Sequence, residues 1–337
     1  MKTLTNNVTM QTIADTAGVS LATVSRVYNG NSSVTPATRK LVLDTAKKYD
    51  FHPNTTARTL AAKKSYLIAV ILPDIRNPYF TELISYIEDL CMNSRYTMIL
   101  YNTNGNTERE KKIVQEMISR QVDGMLVALT TAHSATLDLL SNVPFPVVIM
   151  TRTFNKFDSV GICHSDGGKL AAEHLLSMKA EEFIYFGLED DDKFLGFREH
   201  LLDYGISRDR ISVIGNQDWY FNTINSGAIL LSNFIRNRTS SKRAGLFCVN
   251  DMYAAYALEA AHEAGLHIPE DISLVGFDNT SICNIVYPKL TSIYQPIEEI
   301  AKTGFQLLED KMADGYANNK KEVRNIVLAP RIIVRGT

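Results

Sequence analysis

Two hydrophobic rhythms divide this chain. Near its start, Ile13, Ala14, Val19, Val24 and Val27 recur at spacings that close a small helical core. Thr9 is a good N-cap for a helix over Met10 to Ala17, Gly18-Val19 makes a tight turn, and Ser20 caps a second helix over Leu21 to Tyr28. Leu21, Ala22, Ser25, Arg26 and Asn29 are left on its outer face. Thr35-Pro36, a cap followed by proline at the first helical position, starts a packing helix over Ala37 to Tyr49. The pattern predicts a helix-turn-helix whose second helix presents a recognition surface.

After Lys64 the rhythm changes to short apolar runs separated by amphipathic helices. Leu67 to Leu72, Thr97 to Tyr101, Met125 to Leu129 and Pro146 to Met150 read as buried parallel strands, with helices near Pro78 to Asn93, Glu108 to Arg120 and Ser134 to Leu140. A second series opens with Ser159 to Cys163 and runs through Phe183 to Phe186, Ile211 to Ile214, Gly245 to Val249 and Ile272 to Phe277. Its helices lie near Gly168 to Ser177, Phe194 to Tyr204, Thr223 to Ile235, Met252 to Ala264 and Pro296 to Met312. The expected fold class is α/β: an all-α head and two doubly wound parallel-sheet halves. Such sheets bind ligands beyond the carboxyl ends of their strands, so two facing halves predict a small molecule held between them.

Charge sharpens the reading of the head. Residues 1–64 hold nine Lys or Arg against three Asp, a net of +6, leaving 26 basic and 34 acidic residues, a net of −8, for the rest. No Glu precedes Glu82. A basic head on an acidic body fits one segment that meets phosphate and another that does not. No signal peptide or apolar run of membrane-spanning length is present, which points to the cytoplasm. Cys91, Cys163, Cys248 and Cys283 are far apart and the histidines are scattered, so neither a disulfide, a metal site nor a cofactor is expected. Gly-x-Gly-x-x-Gly after a strand, the phosphate-loop pattern and the Gly-x-Ser-x-Gly elbow are all missing, which speaks against an enzyme.

Strand ends supply the candidate pocket. Asp74, Asn77, Tyr79 and Phe80 follow the first strand, Arg152 the fourth, Asn250 and Asp251 follow Val249, and Asp278 and Asn279 follow Phe277. Aromatic rings for a sugar's apolar face, with carboxylate and amide groups for its hydroxyls, make a carbohydrate site. Tyr79 and Phe80 also fit a helix core, and Asp278 also fits a turn cap. Trp219, the only tryptophan, either walls a pocket or pins its polar loop.

The runs Ala17-Gly18-Val19-Ser20-Leu21-Ala22-Thr23-Val24-Ser25-Arg26-Val27-Tyr28-Asn29-Gly30, Val34-Thr35-Pro36-Ala37-Thr38-Arg39 and Ala57-Arg58-Thr59-Leu60 resemble the lactose/galactose repressor (LacI/GalR) family. Asp74 to Phe80, Val122-Asp123-Gly124, Asn250-Asp251-Met252, Pro269 to Asp278 and Thr291 to Pro296 extend the resemblance over essentially the whole chain. The head is most like that of the carbon catabolite control proteins.

The resemblance implies a helix-turn-helix domain over 1–53, a hinge helix and linker over 54–64, and an effector-binding and dimerisation domain over 65–337. Within the last, one half spans about 65–158 and 293–322, the other about 159–292 and 323–337. It implies a transcriptional regulator, most readily a repressor of carbohydrate-utilisation genes, that binds a palindromic double-stranded DNA operator as a homodimer. Its DNA contacts would come from Met10, Ser20, Leu21, Ala22, Ser25, Arg26, Asn29 and Thr35, with Arg26 suited to guanine, and from the hinge residues Asn54, Ala57 and Leu60 in the minor groove. Its effector, a sugar or sugar phosphate, would meet Asp74, Tyr79, Phe80, Arg152, Lys193, Trp219, Asn250, Asp278 and Gln295. Lys193 stands where the family often has Arg, and lysine lacks the bidentate fork for paired hydroxyls. The end at Arg335-Gly336-Thr337, without a heptad tail, favours a dimer over a tetramer. Two alternatives stay open: a global regulator co-activated by a phosphorylated carrier protein, and a sugar-binding protein without DNA activity.

The hinge makes physical sense as a sensor. Asn54 to Ala62 spans about nine residues, short of the roughly 12 to 15 that an isolated helix needs to be even marginally stable. Ordering it demands on the order of 10 kcal/mol, which DNA contacts and a second hinge must supply.

Overall fold

A computed structural model of the chain describes residues 8–28, 33–51, 64–131, 135–215, 224–313 and 322–337. Two compact units emerge, Met1–Ser65 and Tyr66–Thr337. The expected hinge helix lies outside the described residues, as do Asn29, Asn54, Ala57, Leu60 and Trp219.

In the head, α1 (Met10–Ala17), α2 (Leu21–Tyr28) and α3 (Pro36–Lys48) fall within one residue of the ranges that the caps predict. Thr9 and Thr12 form a reciprocal capping box, and Gly18 ends α1 in the left-handed region at φ 64°, where a side chain would be strained. Ser20 Oγ accepts the Thr23 amide at 3.1 Å, and Thr35 Oγ1 accepts that of Thr38 at 3.2 Å. Ile13, Ala14, Val24, Val27, Val42 and Ala46 are buried together, while Val19 is only half-buried at the turn. Arg39 donates to the Val27 carbonyl at 3.0 Å, closing the end of α2 from α3.

The body holds twelve strands among its described residues, in two six-stranded sheets. The first sheet contains β1 (Leu67–Leu72), β2 (Thr97–Asn102), β3 (Gly124–Val127), β4 (Val147–Thr151), β5 (Asp158–Ile162) and β11 (Asn325–Leu328), in the order β11-β5-β4-β3-β1-β2. The second contains β6 (Glu182–Phe186), β7 (Ile211–Ile214), β8 (Ala244–Cys248), β9 (Ile272–Asp278), β10 (Thr291–Tyr294) and β12 (Arg331–Ile333), in the order β12-β10-β9-β8-β6-β7. The helices are α4 (Pro78–Ser94), α5 (Thr107–Ser119), α6 (Thr136–Leu140), α7 (His164–Ser177), α8 (Asp192–Asp203), α9 (Ile224–Arg236), α10 (Asp251–Glu263), α11 (Ile282–Ile285) and α12 (Ile297–Ala313). None of them is long and apolar enough to cross a membrane. Central strands such as β3, β4, β8 and β9 are buried along their whole length, because helices cover both sheet faces.

Topology corrects the expected halves in three places. The strand expected to open the second series, β5, pairs in parallel with β4 and so completes the first sheet. Residues 323–328, expected in the second half, supply β11 to the first sheet beside β5. Residues 293–294, expected in the first half, belong to β10, which pairs with β9 in the second. The second sheet is also not wholly parallel, since β12 runs antiparallel to β10. The chain therefore crosses between two lobes three times, after β5, after β10 and after β11. The carboxyl ends of parallel strands from both lobes open on the same cleft.

Candidate ligand cleft and DNA-reading face

Each wall of the cleft is a strand end turning into a helix. Beyond β1, Asn77 caps α4 by accepting the Tyr79 amide at 3.1 Å, with Pro78 at the first helical position. That start drives Tyr79 inward until it is 2% exposed, and its hydroxyl finds no hydrogen-bond partner among the described residues. Beyond β8, Asn250 caps α10 by accepting the Tyr253 amide at 3.0 Å. At the last position of β9, Asp278 sits at φ 103°, which an aspartate tolerates only when its surroundings enforce it.

The fourth wall depends on two glycines. A Cβ on Gly168 of α7 would lie 2.0 Å from the Lys193 carbonyl oxygen, and one on Gly196 of α8 would lie 2.0 Å from that of Ser165. This backbone-to-backbone approach brings the first turn of α8 against α7 and delivers Lys193 into the cleft. Asp191 caps α8, accepting the Lys193 amide at 3.0 Å. The buried Lys193 ammonium donates to the Val249 carbonyl at 3.0 Å, lies 4.4 Å from the Phe277 ring centroid, and is 3.9 Å from the Asp191 carboxylate.

Burial sets the electrostatics. It pushes the Asp278 carboxyl up to about 8, against the opposing pull of Lys193; the charge of Asp251 adds to the rise, while hydrogen bonds from Gln295 and Asn77 reduce it. The Gln295 amide donates to Asp278 Oδ1 at 2.6 Å and the Asn77 amide reaches Oδ2 at 3.4 Å. Gln295 itself is buried, with Oε1 unpartnered among the described residues. Behind it, burial raises Asp251 to about 6 although it accepts from the Thr280 amide, the Thr280 hydroxyl and the Ser292 hydroxyl. For Asp191 burial also pushes upward, but Lys193, Arg152 and hydrogen bonds from the Lys193 amide and Tyr185 hydroxyl outweigh it and hold the carboxyl below its usual value. His164 is held well below the usual histidine value by burial first, then by the charges of Arg152 and Lys193.

Asp74, Tyr79, Phe80, Arg152, Lys193, Asn250, Asp278 and Gln295 all line this one cleft. Arg76, Thr130, His164 and Tyr253 line it too and escaped the sequence reading. His164 follows the end of β5, and the strand-end rule finds it once that strand is placed in the first lobe. Two side chains have structural duties that their types do not announce. Asp74 holds Arg76 through two contacts at 2.8 and 2.9 Å, and Arg152 pairs with Asp192 at 2.7 Å. The cleft thus offers a phenol and an amide oxygen without partners among the described residues, beside a buried carboxyl and an ammonium that are already hydrogen-bonded, a set that suits hydroxyl groups.

On the head, Leu21, Ala22 and Arg26 are exposed along one side of α2, with Ser25 half-buried beside them. Met10 is half-buried at the start of α1; Ser20 and Thr35 are exposed, but their hydroxyls already cap helices. An apolar side chain flanked by an exposed guanidinium is the composition that reads thymine methyls and guanine edges.

A three-helix head with such a face, joined to a two-lobed body with a polar cleft, defines a ligand-responsive DNA-binding regulator. Residues 9–54 match the model of the bacterial regulatory proteins of the lacI family, and residues 172–337 that of the periplasmic binding protein-like domain. Catabolite control protein A of Priestia megaterium is 33% identical over 336 residues, covering 97% of this chain and 98% of its own. A LacI family transcriptional regulator from Silicibacter pomeroyi, 26% identical, superposes with a TM-score of 0.78 over 98% of this chain and 99% of its own. Another from Enterococcus faecium, solved with bound ribose, is 28% identical with a TM-score of 0.68 over 80% of this chain and 97% of its own. The chain belongs to the lacI family of bacterial regulatory proteins.

Proposed function

We propose that this regulator binds a palindromic operator as a homodimer, represses carbohydrate-utilisation genes in the cytoplasm, and responds to a sugar or sugar phosphate that it binds without altering chemically. The observation that carries the effector reading is the pair of buried polar atoms in the cleft, Tyr79 Oη and Gln295 Oε1, that find no partner among the described residues, beside the Asp278 carboxyl. A buried group left unsatisfied costs about 1–3 kcal/mol, and ligand hydroxyls would relieve it. The relative bound to ribose supports a sugar here. Asn250 and Lys193 would complete the hydroxyl contacts, with Phe80 against the ring and Asp74 and Arg76 at the rim. Trp219, which lies outside the described residues, remains assigned to the effector on sequence grounds.

Effector binding would set the spacing of the two lobes, and so the spacing of paired hinges that cannot fold alone. A coupling of about 1–3 kcal/mol would be ordinary for such a linkage. Whether the effector induces or co-represses depends on which lobe arrangement it favours.

Selection of bound DNA from a random pool, repeated with neutral sugars and sugar phosphates, tests the whole reading. A palindromic consensus whose recovery changes with one sugar supports it, and no enriched sequence would end it. Asp278→Ala should abolish the response; an unchanged effector affinity would displace the pocket. Leu60→Ala should weaken operator binding far more than nonspecific binding, whereas equal losses would remove Leu60 from the minor groove. Binding should fall steeply with salt as phosphate contacts release counterions. The similarity to a catabolite control protein favours a second reading, in which a phosphorylated carrier protein co-activates; a response to that phosphoprotein and to no sugar would select it.

A further inference from the structure

Arg152 lines the cleft, yet its guanidinium is already committed across it. Its Nη1 lies 2.7 Å from Asp192 Oδ2, joining the loop after β4 in the first lobe to the first turn of α8 in the second. Arg152 is 22% exposed and Asp192 50%. The backbone that aims it is unusual. Thr151 has φ 71°, a conformation that β-branched residues rarely adopt, and it is tolerated beside Gly161 of β5, where a Cβ would lie 2.4 Å from the Thr151 carbonyl carbon and 2.5 Å from the Arg152 nitrogen. Strain of this kind persists where the surroundings over-determine it, and it often marks a functional contact. The opposite strand end carries its counterpart: Asp278, at φ 103°, accepts a longer bond from Asn77 across the same cleft. A third bridge, from the Ser281 amide to Glu82 Oε1 at 3.1 Å, joins α4 of the first lobe to the segment before α11 of the second.

We infer that Arg152 and Asp192 are positioning residues, an ion-pair latch that holds the two lobes closed and sets the first turn of α8, with Lys193, against the cleft. Arg152 thus acts on lobe closure, and the effector contacts fall to Lys193, Asp278, Gln295 and Tyr79. This rests on the body working as a cleft that opens and closes. It is testable without any sugar, so its failure is distinct from failure of the effector reading.

The test is hydrogen exchange on the full-length, ligand-free protein, read at the Ser281 amide. Asp192→Asn should speed exchange there about 1.5- to fivefold, the range that a half-exposed ion pair supplies. Arg152→Gln, which leaves the α8 cap untouched, should do the same, and the double variant should add nothing further. At about 1 M salt, where the screening length is roughly 3 Å, the unmodified protein should move toward the variants while they stay unchanged. A local ion pair would alter only amides near residues 150–154 and 190–195. Unchanged exchange at Ser281, additive effects in the double variant, or a uniform rise across the body would each overturn the latch.

Discussion

Replacing Gly168 or Gly196 with alanine is expected to destabilise the body by about 3 kcal/mol or more and to remove the effector response with it, at the upper end of what overpacking does. The added methyl would lie 2.0 Å from a backbone carbonyl oxygen in either case, and a carbonyl inside a helix cannot swing aside like the end of a flexible side chain. Helices α7 and α8 must part, and the first turn of α8 carries Lys193 and the Asp191 cap away from Val249 and Phe277. Urea denaturation with a sugar-binding titration reads both effects. An unchanged midpoint for Gly168→Ala would mean that the two helices separate freely, and that their contact does not hold Lys193 in place.

The second large effect is on pH. Asp278 is raised from 3.8 to about 8, chiefly by burial, so between those values the folded protein keeps a proton that the unfolded chain has lost. Its contribution to stability is complete below about pH 4 and disappears as the pH rises through 8. A single such proton gives a slope of up to about 1.4 kcal/mol per pH unit. Asp251, raised to about 6, adds a fall of the same sign that ends earlier. Asp191 works the other way, being held below its usual value, so its contribution is lost as the pH falls below the ordinary carboxylate range. Thermal unfolding between pH 5 and 8.5 should show stability falling with pH, and Asp278→Asn should flatten that fall and be more stable than the parent at pH 8. A parallel profile for the two proteins would place the titrating proton elsewhere.

How much of this was legible depended on whether the information was local. Thr9, Gly18, Ser20 and Thr35-Pro36 fix the head because capping and turn chemistry act within four residues, and each of those caps is found. The apolar runs at 67–72 and 272–277 reveal their strands because both sheet faces are covered. The strand Asp158–Ile162 was visible as well, but the sheet it joins depends on where a later chain crossing falls, and nothing in its own residues records that. The short strand 325–328 alternates exposed with half-exposed positions, and 331–333 has one exposed position followed by two half-exposed ones, too weak a signal in either to stand out from a loop. The site divides along the same line. Strand-end position marks Asp74, Asn250 and Asp278, whereas the commitment of Arg152 to Asp192, forty residues away, exists only once both lobes are built.

The three chain crossings have a consequence for how this protein can be rebuilt, by evolution or by hand. The head is joined to the rest by a single passage of the chain near Ser65, so one splice there exchanges operator preference while leaving the sensor whole. The lobes offer no such seam. Exchanging one lobe for that of another regulator would need three simultaneous junctions, near residues 163, 295 and 329, with the strained corners on either side still in register. New outputs are therefore reachable by recombination, while new inputs must be found residue by residue inside the cleft.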